Sequence, residues 1–186
     1  MNRNEHAAVL VIDMQQGLCV GPGAAHDCAG TIARINAVTR QARAAGIPVF
    51  FIQHESGPGY LEHGSSAWQL AAGLDVEESD LRVRKTTPDA FLRTSLQSML
   101  GERGVRRLIV CGMHTEFCVD TTVRRALALG YPVVLVADAH TSAGNEAISP
   151  QQVIAHHNAT LTNISSFGPR VEAVPAEALR FAVTQN

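Results

Sequence analysis

Short, unbroken apolar runs recur along the chain and predict strands that are covered on both faces. Four such runs, rich in Val, Ile, Leu and Phe, lie at residues 7–12, 48–52, 108–111 and 132–137. Two shorter segments, 81–84 and 171–174, predict a third and a sixth strand. Strands without apolar–polar alternation are typical of parallel sheets, because helices cover both of their faces.

Segments with helical periodicity separate these strands and predict a layered α/β fold. They lie at residues 29–45, 89–103, 116–129 and 150–160, and Gly46, Gly104 and Gly130 follow the first three, where a helix C-cap favours glycine. The alternation predicts a three-layer, doubly wound, mostly parallel six-stranded sheet with helices on both faces. We expect residues 1–186 to form a single domain, because no linker or repeat interrupts the pattern.

The residues that follow the strands are the first candidates for chemistry. In open parallel sheets, ligands bind beyond the carboxyl ends of the strands. The residues at those positions are Asp13, Gln53, His54, Lys85, Met113, His114 and Asp138. The longest irregular stretch, residues 55–79, is rich in glycine and predicts an active-site loop.

Composition narrows the class of partner. The net charge is −2 and basic residues occur in no run longer than a pair, which argues against a nucleic-acid or membrane partner and favours a small molecule. Charged residues make up 17% of the chain, below the roughly 25% that is typical of soluble domains. This low fraction predicts that apolar surface is buried between subunits of a homo-oligomer.

The N-terminus and the cysteines indicate a cytoplasmic protein. The apolar run at residues 7–12 is too short for a signal peptide, and no segment has the roughly 20 apolar residues of a membrane span. Four cysteines, at positions 19, 28, 111 and 118, show neither metal-binding spacing nor the density of a disulfide scaffold. We expect free thiols in a reducing compartment.

Cys118 has the placement of a reactive thiol. It falls in the first turn of the helix predicted at 116–129, directly after a buried strand, with Thr115 as the expected N-cap. Free N–H groups at a helix N-terminus favour the thiolate and can also stabilise an oxyanion. The alternative is that Cys118 is a small buried hydrophobe.

Asp13 and Lys85 each allow two interpretations when they are taken alone. A carboxylate after a strand can cap the following turn or act as a general base. An isolated lysine after a strand is most often a solvated surface residue. The combination of Asp13 and Lys85 at predicted strand ends with Cys118 in the first turn of the predicted helix favours a catalytic role for all three.

Four blocks of sequence occur in the order of a known family. They are VLVIDMQQG with Asp13, RKTTPDAF with Lys85, VCGMHTEFCVDTT with Cys118 and VVLVADAHTS with Asp138. Through these blocks, nearly the whole chain resembles the isochorismatase-like cysteine hydrolases. That family includes nicotinamidase, N-carbamoylsarcosine amidohydrolase, streptothricin hydrolase and isochorismatase.

The resemblance implies a mechanism without a cofactor. Cys118 would attack an amide-like carbonyl, Asp13 would take its proton, and Lys85 would hold negative charge near both. A thioester would form and then be hydrolysed by water. The resemblance also implies a cis Met113–His114 peptide bond, with the backbone N–H groups of His114 and Cys118 in the oxyanion hole.

The substrate pocket and a metal site are less firmly indicated by the sequence. Nicotinamidases bind a metal through an Asp-x-His pair, and Gln53 and Glu55 stand at those two positions here. We therefore expect no metal, although His54, Glu55 and His63 form an alternative ligand set. Gln53, His54, Leu18 and Trp68 are the predicted substrate-binding residues.

Three functions fit these observations. The leading hypothesis is hydrolysis of a C–N bond in a small amide, ureido or lactam compound. The second is vinyl ether cleavage of the isochorismatase type, which the presence of Cys118 disfavours. The third is a non-catalytic binding or redox-sensing protein that uses Cys118 only as an oxidisable thiol. A dimer or tetramer is expected in each case.

Overall fold

Six parallel strands form one sheet in the computed structural model, which describes residues 6–181. The strands are β1 Ala7–Ile12, β2 Val49–His54, β3 Leu81–Lys85, β4 Arg107–Met113, β5 Val133–Thr141 and β6 Val171–Val174. Their order across the sheet is β3-β2-β1-β4-β5-β6, and all five pairings are parallel. The predicted doubly wound α/β fold is confirmed.

Helices cover both faces of this sheet, as the unbroken apolar strands predicted. The helices are α1 Gln16–Cys19, α2 Cys28–Ala44, α3 Leu96–Glu102, α4 Asp120–Ala128 and α5 Pro150–Asn163. On one face, Ile35 and Val38 of α2 pack against β1, β2 and β4. On the other face, Leu100 of α3, Val123 of α4 and Leu161 of α5 share a second apolar core. No helix within residues 6–181 is long and apolar enough to cross a membrane.

Three glycines end helices as predicted. Gly46, Gly104 and Gly130 have φ angles of 71°, 62° and 93°, which lie in the left-handed region that glycine adopts at low cost. At its N-terminus α5 has a capping box, in which Ser149 and Gln152 each accept the other's backbone N–H. The glycines therefore located the C-terminal ends of three helices correctly, whereas the short helix α1 was not predicted.

The helix predicted at residues 89–103 is wrong for its first half. Only Leu96–Glu102 is helical, and turns precede it. Arg93 has a positive φ of 57°, which interrupts a right-handed helix, and the Thr94 hydroxyl donates to the carbonyl of Ala90. Side chains of Asp and Thr compete with the helix for backbone groups in this way, and periodicity alone does not reveal it.

The strand order reverses direction between β1 and β4, and in open α/β sheets ligands bind beyond the carboxyl ends of the strands at such a point. Gly112 of β4 packs directly against β1 there. A Cβ atom at this position would lie 2.1 Å from the carbonyl oxygen of Ile12, and the φ angle of Gly112 is 118°. Only glycine permits this approach, which brings the end of β4 next to Asp13.

Candidate active site

The ends of two strands place Asp13 beside Lys85. Asp13 follows β1 and has a left-handed backbone with a φ of 50°, a conformation in which aspartate is enriched. Lys85 is the last residue of β3. Both side chains are buried, and Lys85 Nζ donates to Asp13 Oδ2 at 2.7 Å. The sheet thus joins residues that are 72 positions apart in a buried ion pair.

The Lys85 ammonium contacts the other groups at the centre of the site. Its Nζ lies 3.2 Å from Cys118 Sγ and 3.2 Å from His54 Nδ1. It also donates to the carbonyl oxygen of Thr87 at 3.2 Å. An ammonium has three protons, which these three acceptors and Asp13 share. The structure therefore brings the predicted trio of Asp13, Lys85 and Cys118 together.

One oxygen of Asp13 has no donor in hydrogen-bonding geometry among residues 6–181, although a side-chain interaction with Asp13 is one of the causes that raise the pKa of Cys118. Oδ2 accepts from Lys85, whereas Oδ1 is buried and unpaired among residues 6–181. The carboxylate lies within 4.8 Å of Cys118 Sγ. Buried acceptors without a donor are uncommon in folded proteins. The free oxygen is an acceptor to which a proton can be transferred.

Cys118 lies in a π-helical turn, Thr115–Val119, that leads into α4. Single π turns are frequent at functional sites. The preceding Met113–His114 peptide bond is cis, as the resemblance implied. The assignment of the His114 and Cys118 N–H groups to an oxyanion hole stays a prediction.

The prediction of Thr115 as the N-cap is wrong. His114 holds that position, and it makes no side-chain capping bond. The Thr115 hydroxyl instead contacts Nδ1 of His140 at 2.9 Å. A capping threonine has to face its own helix, whereas this one faces a residue of β5.

Burial opposes the bias of this turn toward the thiolate that the sequence predicted, and it raises the pKa of the Cys118 thiol to about 12. Burial is the largest cause, the negative charge of Asp13 raises the pKa further, and the Lys85 ammonium opposes both. The free-energy cost of burying a negative charge on the sulfur in low-dielectric surroundings exceeds the stabilisation that the N–H groups of the short turn provide. The resting sulfur is a protonated thiol that needs a base.

Gln15 fixes the edge of the site, and sequence reasoning missed it. Its buried amide accepts from the backbone N–H of His54 at 2.8 Å and donates to the carbonyl oxygens of His54 and Trp68, each at 2.9 Å. The side chain thereby pairs with His54 as a neighbouring strand would. The available signal was its position two residues after Asp13, in the first sequence block.

His54 lies beside Lys85, and its role in substrate binding stays a prediction. Burial is the main cause that lowers the pKa of the imidazole, and the adjacent Lys85 ammonium lowers it further. A neutral imidazole accepts a hydrogen bond from an ammonium at Nδ1. His54 is therefore held next to Lys85 by its backbone and by its ring.

Gln53 does not face the trio. Its Nε2 donates to the carbonyl oxygen of Trp68 at 3.0 Å, and its Oε1 accepts from Arg82 at 3.2 Å. Successive residues of a strand point to opposite faces. Because His54 lies on the side of Lys85, the Gln53 amide stabilises the 55–79 loop from the other side.

Trp68 and Leu18 lie in the segments that border the site. The Trp68 ring packs edge-on against His63, with ring centroids 4.6 Å apart. Leu18 is partly buried and lines a surface cavity of about 530 Å³ together with Tyr60 and Ala67. Within residues 6–181, neither side chain forms a hydrogen bond or a ring contact with Asp13, Lys85 or Cys118, so their role in substrate binding stays a prediction.

The alternative metal ligands do not converge. Both oxygens of Glu55 accept from Arg84, and His63 packs on Trp68. Within residues 6–181 the one convergent group of ligand-type side chains is Asp13, His54 and Cys118. The Lys85 ammonium contacts all three of them. These residues fit a divalent cation poorly, because a positive charge already lies among them.

Comparison with known proteins gives a consistent result for the sequence. The family model of the isochorismatase domain matches residues 7–166. A streptothricin hydrolase from Streptomyces noursei is 36% identical over 136 residues, which cover 73% of this chain and 49% of that protein. The chain thus spans about half the length of that relative.

Two further matches cover more of both chains. Ureidoacrylate amidohydrolase RutB from Pseudomonas syringae is 32% identical, with 90% of this chain and 80% of that protein aligned. A solved structure of an isochorismatase family protein superposes with a TM-score of 0.83 at 32% identity, covering 91% of this chain and 99% of that one. The family model, the similar sequences and the superposed structure therefore all indicate the same family as the four sequence blocks.

Proposed function

This chain belongs to the isochorismatase family, and from that premise we propose that it is a hydrolase that cleaves a C–N bond of a small molecule through a Cys118 thioester. The observation that carries the proposal is the Lys85 ammonium, which contacts both Asp13 Oδ2 and Cys118 Sγ in a buried site. A nucleophile and a base that share one fixed cation have the geometry of covalent acyl transfer.

The first step is attack of the sulfur on the carbonyl carbon. Because the pKa of Cys118 is about 12, the thiol loses its proton only as the new C–S bond forms. The unpaired Oδ1 of Asp13 receives that proton. The negative charge passes from the Asp13 carboxylate to the carbonyl oxygen of the substrate as the C–S bond forms. Lys85 holds the carboxyl group and the sulfur in place during this step, and the N–H groups of His114 and Cys118 stabilise the oxyanion.

The second step breaks the C–N bond. The tetrahedral intermediate collapses, and the nitrogen leaves as ammonia or an amine with the proton that Asp13 holds. A thioester to Cys118 remains, and the Asp13 carboxylate is restored. Asp13 then takes a proton from water, which attacks the thioester and releases the acid and the thiol.

The proposed substrate class is a small amide, ureido or lactam compound. The similar proteins named for streptothricin and ureidoacrylate hydrolysis support this class. His54 lies beside Lys85, whereas Leu18 and Trp68 border the site, and we assign all three to the pocket wall. Identification of the compound within this class needs an assay.

The test compares wild type with Cys118→Ala and Cys118→Ser on one substrate panel. The panel contains nicotinamide, carbamoyl amino acids, ureido acids and lactams, with ammonia release and mass-spectrometric ring opening as readouts. We expect wild type to turn over at least one compound and Cys118→Ala to lose that activity. Rapid quenching should show the acyl mass on the Cys118 peptide.

Other outcomes favour the competing functions. Equal turnover by wild type and Cys118→Ala would exclude the thioester. Conversion of isochorismate by both proteins would establish vinyl ether cleavage instead. No turnover on the whole panel, together with stoichiometric oxidation of Cys118, would favour a redox-sensing protein.

We also propose that the protein is a dimer or tetramer. Support comes from the low charged fraction and from exposed large apolar side chains such as Tyr60 and Phe117, which are 62% and 59% exposed. Light scattering at micromolar concentration tests this assembly. A monomeric mass would contradict it.

A further inference from the structure

β5 is irregular where it passes the turn that carries Cys118. Leu135 pairs with Val110 and His140 pairs with Gly112, so residues 136–139 lie opposite the single β4 residue Cys111. Bulges of this kind redirect side chains next to active sites. Here the bulge lets His140 reach Thr115, the first residue of the π turn.

The neighbouring hydrogen bonds show which atom donates in the contact between Thr115 and His140. Asn158 Nδ2 donates to the carbonyl oxygen of Ala137 at 2.9 Å, and a carbonyl can only accept. Asn158 Oδ1 is then the atom 3.0 Å from Nε2 of His140, so Nε2 carries a proton. Nδ1 of a neutral imidazole is the acceptor. The Thr115 hydroxyl consequently donates to it.

The surroundings keep the imidazole neutral. His140 and Thr115 are both buried. Burial is the largest cause that lowers the pKa of His140 to about 4; His157 also lowers it, whereas Asn158 and Asp138 oppose the shift. Among residues 6–181, no carboxylate forms an ion pair with this ring. Thr115 donates to His140, His140 donates to Asn158, and Asn158 donates to the backbone carbonyl of Ala137. Each donor in this series therefore has an acceptor.

A second contact ties the same turn to β5. The hydroxyl of Ser142, which follows β5, donates to Glu116 Oε1 at 2.7 Å. Thr115 and Glu116 are the first two residues of the π turn. Both are therefore fastened by side chains near the end of β5, whereas Cys118 contacts Lys85 on the opposite side.

We infer that His140 is a positioning residue: as a neutral imidazole it holds Thr115 and thereby keeps the Cys118 thiol buried beside Asp13. The activity part of this inference rests on the proposed function, and the thiol part does not. Thr115 lies three residues before Cys118, so a shift of the turn moves the sulfur. Misplacement of a reacting atom by about 1 Å can lower a rate by about 100-fold.

Nitrogen NMR of histidine-labelled protein tests the proton assignment without any substrate. We expect the imidazole signals that disappear in His140→Asn to show a protonated Nε2 and an acceptor Nδ1 and to remain neutral down to about pH 5; His54, whose Nδ1 accepts from Lys85, should give a separate signal that persists in this variant. The Nδ1 signal of His140 should move in Thr115→Val, where the donor is lost. A protonated Nδ1 of His140, or titration of its ring between pH 6 and 7, would overturn the inference.

Alkylation of Cys118 at pH 8, followed by peptide mass spectrometry, tests the positioning. Thr115→Val removes only the hydroxyl, and we expect alkylation about tenfold faster because the thiol becomes less buried. Thr115→Ser restores the donor and should restore the rate. Thr162→Val is the matched control, since its hydroxyl donates to the backbone of Asn158 and has no recorded contact with the turn.

Turnover supplies the second readout once a substrate is known. We expect Thr115→Val to lower kcat by about tenfold or more, with KM within about threefold, and Thr115→Ser to recover kcat. Unchanged alkylation in Thr115→Val would overturn the positioning role even if the NMR result holds. Failure of wild type to hydrolyse any panel compound would contradict the proposed function alone, because NMR and alkylation do not need turnover.

Discussion

Two buried polar clusters lie on either side of Cys118, and they differ in charge and in completeness. The first consists of Lys85 with Asp13 and His54 and contains an ion pair. The second consists of His140 with Thr115 and Asn158 and carries no formal charge. The first has an unpaired acceptor, Oδ1 of Asp13, whereas every contact in the second has a donor and an acceptor.

This difference indicates that the Lys85 cluster takes part in the reaction and that the His140 cluster holds the turn in place. A cluster that moves protons needs an acceptor that is free and a charge that can be shared, and both raise the energy of the resting fold. A cluster that only holds a turn is most stable when it is neutral and fully paired. We therefore expect substitutions in the Lys85 cluster to affect rate and stability more than those in the His140 cluster.

The largest expected effect is on turnover by Asp13→Asn. The amide keeps an oxygen for Lys85 but cannot accept the Cys118 proton, so kcat should fall by about 10³-fold. Initial rates on the substrate identified by the panel measure this loss, and circular dichroism checks that the variant is folded. Activity within tenfold of wild type would show that another group is the base.

The next largest effect is on stability, and Lys85→Met should produce it. The substitution leaves the Asp13 carboxylate buried without a partner, which costs about 3–5 kcal/mol of unfolding free energy. The double variant Asp13→Asn/Lys85→Met should recover most of that loss. Urea unfolding measures both, and equal stabilities for the single and double variants would contradict the ion-pair argument. Thr115→Val, in the neutral cluster, should cost only about 1 kcal/mol.

The charges of Asp13 and Lys85 should shift the pKa of the Cys118 thiol, and hence its alkylation rate, in opposite directions. With a pKa of about 12, alkylation of wild type should rise about tenfold per pH unit without levelling through pH 10. Asp13→Asn removes a charge that raises this pKa, so it should alkylate faster at pH 8 although it turns over more slowly. Lys85→Met should alkylate more slowly. A plateau near pH 8 in wild type would mean that the thiolate is present at rest.

A smaller effect should appear in the acid stability of the neutral cluster. Burial lowers the pKa of His140 from 6.5 to about 4, so between these values the unfolded chain binds a proton that the folded chain excludes. Stability should therefore fall as pH falls through this window, by at most about 1.4 kcal/mol per pH unit from this residue. His140→Asn should have a shallower dependence. Unfolding at a series of pH values measures the slopes, and identical slopes would contradict the shift.

The smallest expected effect on activity is that of Gln53→Ala, which lies outside both clusters. Its amide is engaged by Trp68 and Arg82, so KM should change by less than about threefold while stability falls by about 1–2 kcal/mol. His54→Ala is the comparison on the opposite face of the same strand and should affect kcat more. A large rise in KM for Gln53→Ala would return this residue to the substrate pocket.

Particular residues show how far the sequence was informative. Residues 7–12 and 171–174 were predicted with the bounds that the structure has, since their apolar pattern is local. β5 was predicted to end at residue 137 but continues to Thr141, because its last part is polar and is stabilised by β4. The Asp13, Lys85 and Cys118 trio was found from strand ends and from the resemblance. Gln15 and His140 were not found, and Thr115 was predicted only as an N-cap, since no strand-end position or local pattern indicates the hydrogen bonds that these side chains make.

The sequence by itself determined the alternation of strands and helices and the edge of the sheet where chemistry occurs, because hydrophobic periodicity and helix-end signals are properties of neighbouring residues. Only the tertiary structure decided which face of β2 points toward the site, that burial raises the pKa of the Cys118 thiol, and which buried polar groups are paired. These features depend on burial and on hydrogen bonds between distant segments. They arise when the sheet brings residues such as Asp13 and Lys85, 72 positions apart, to within 2.7 Å.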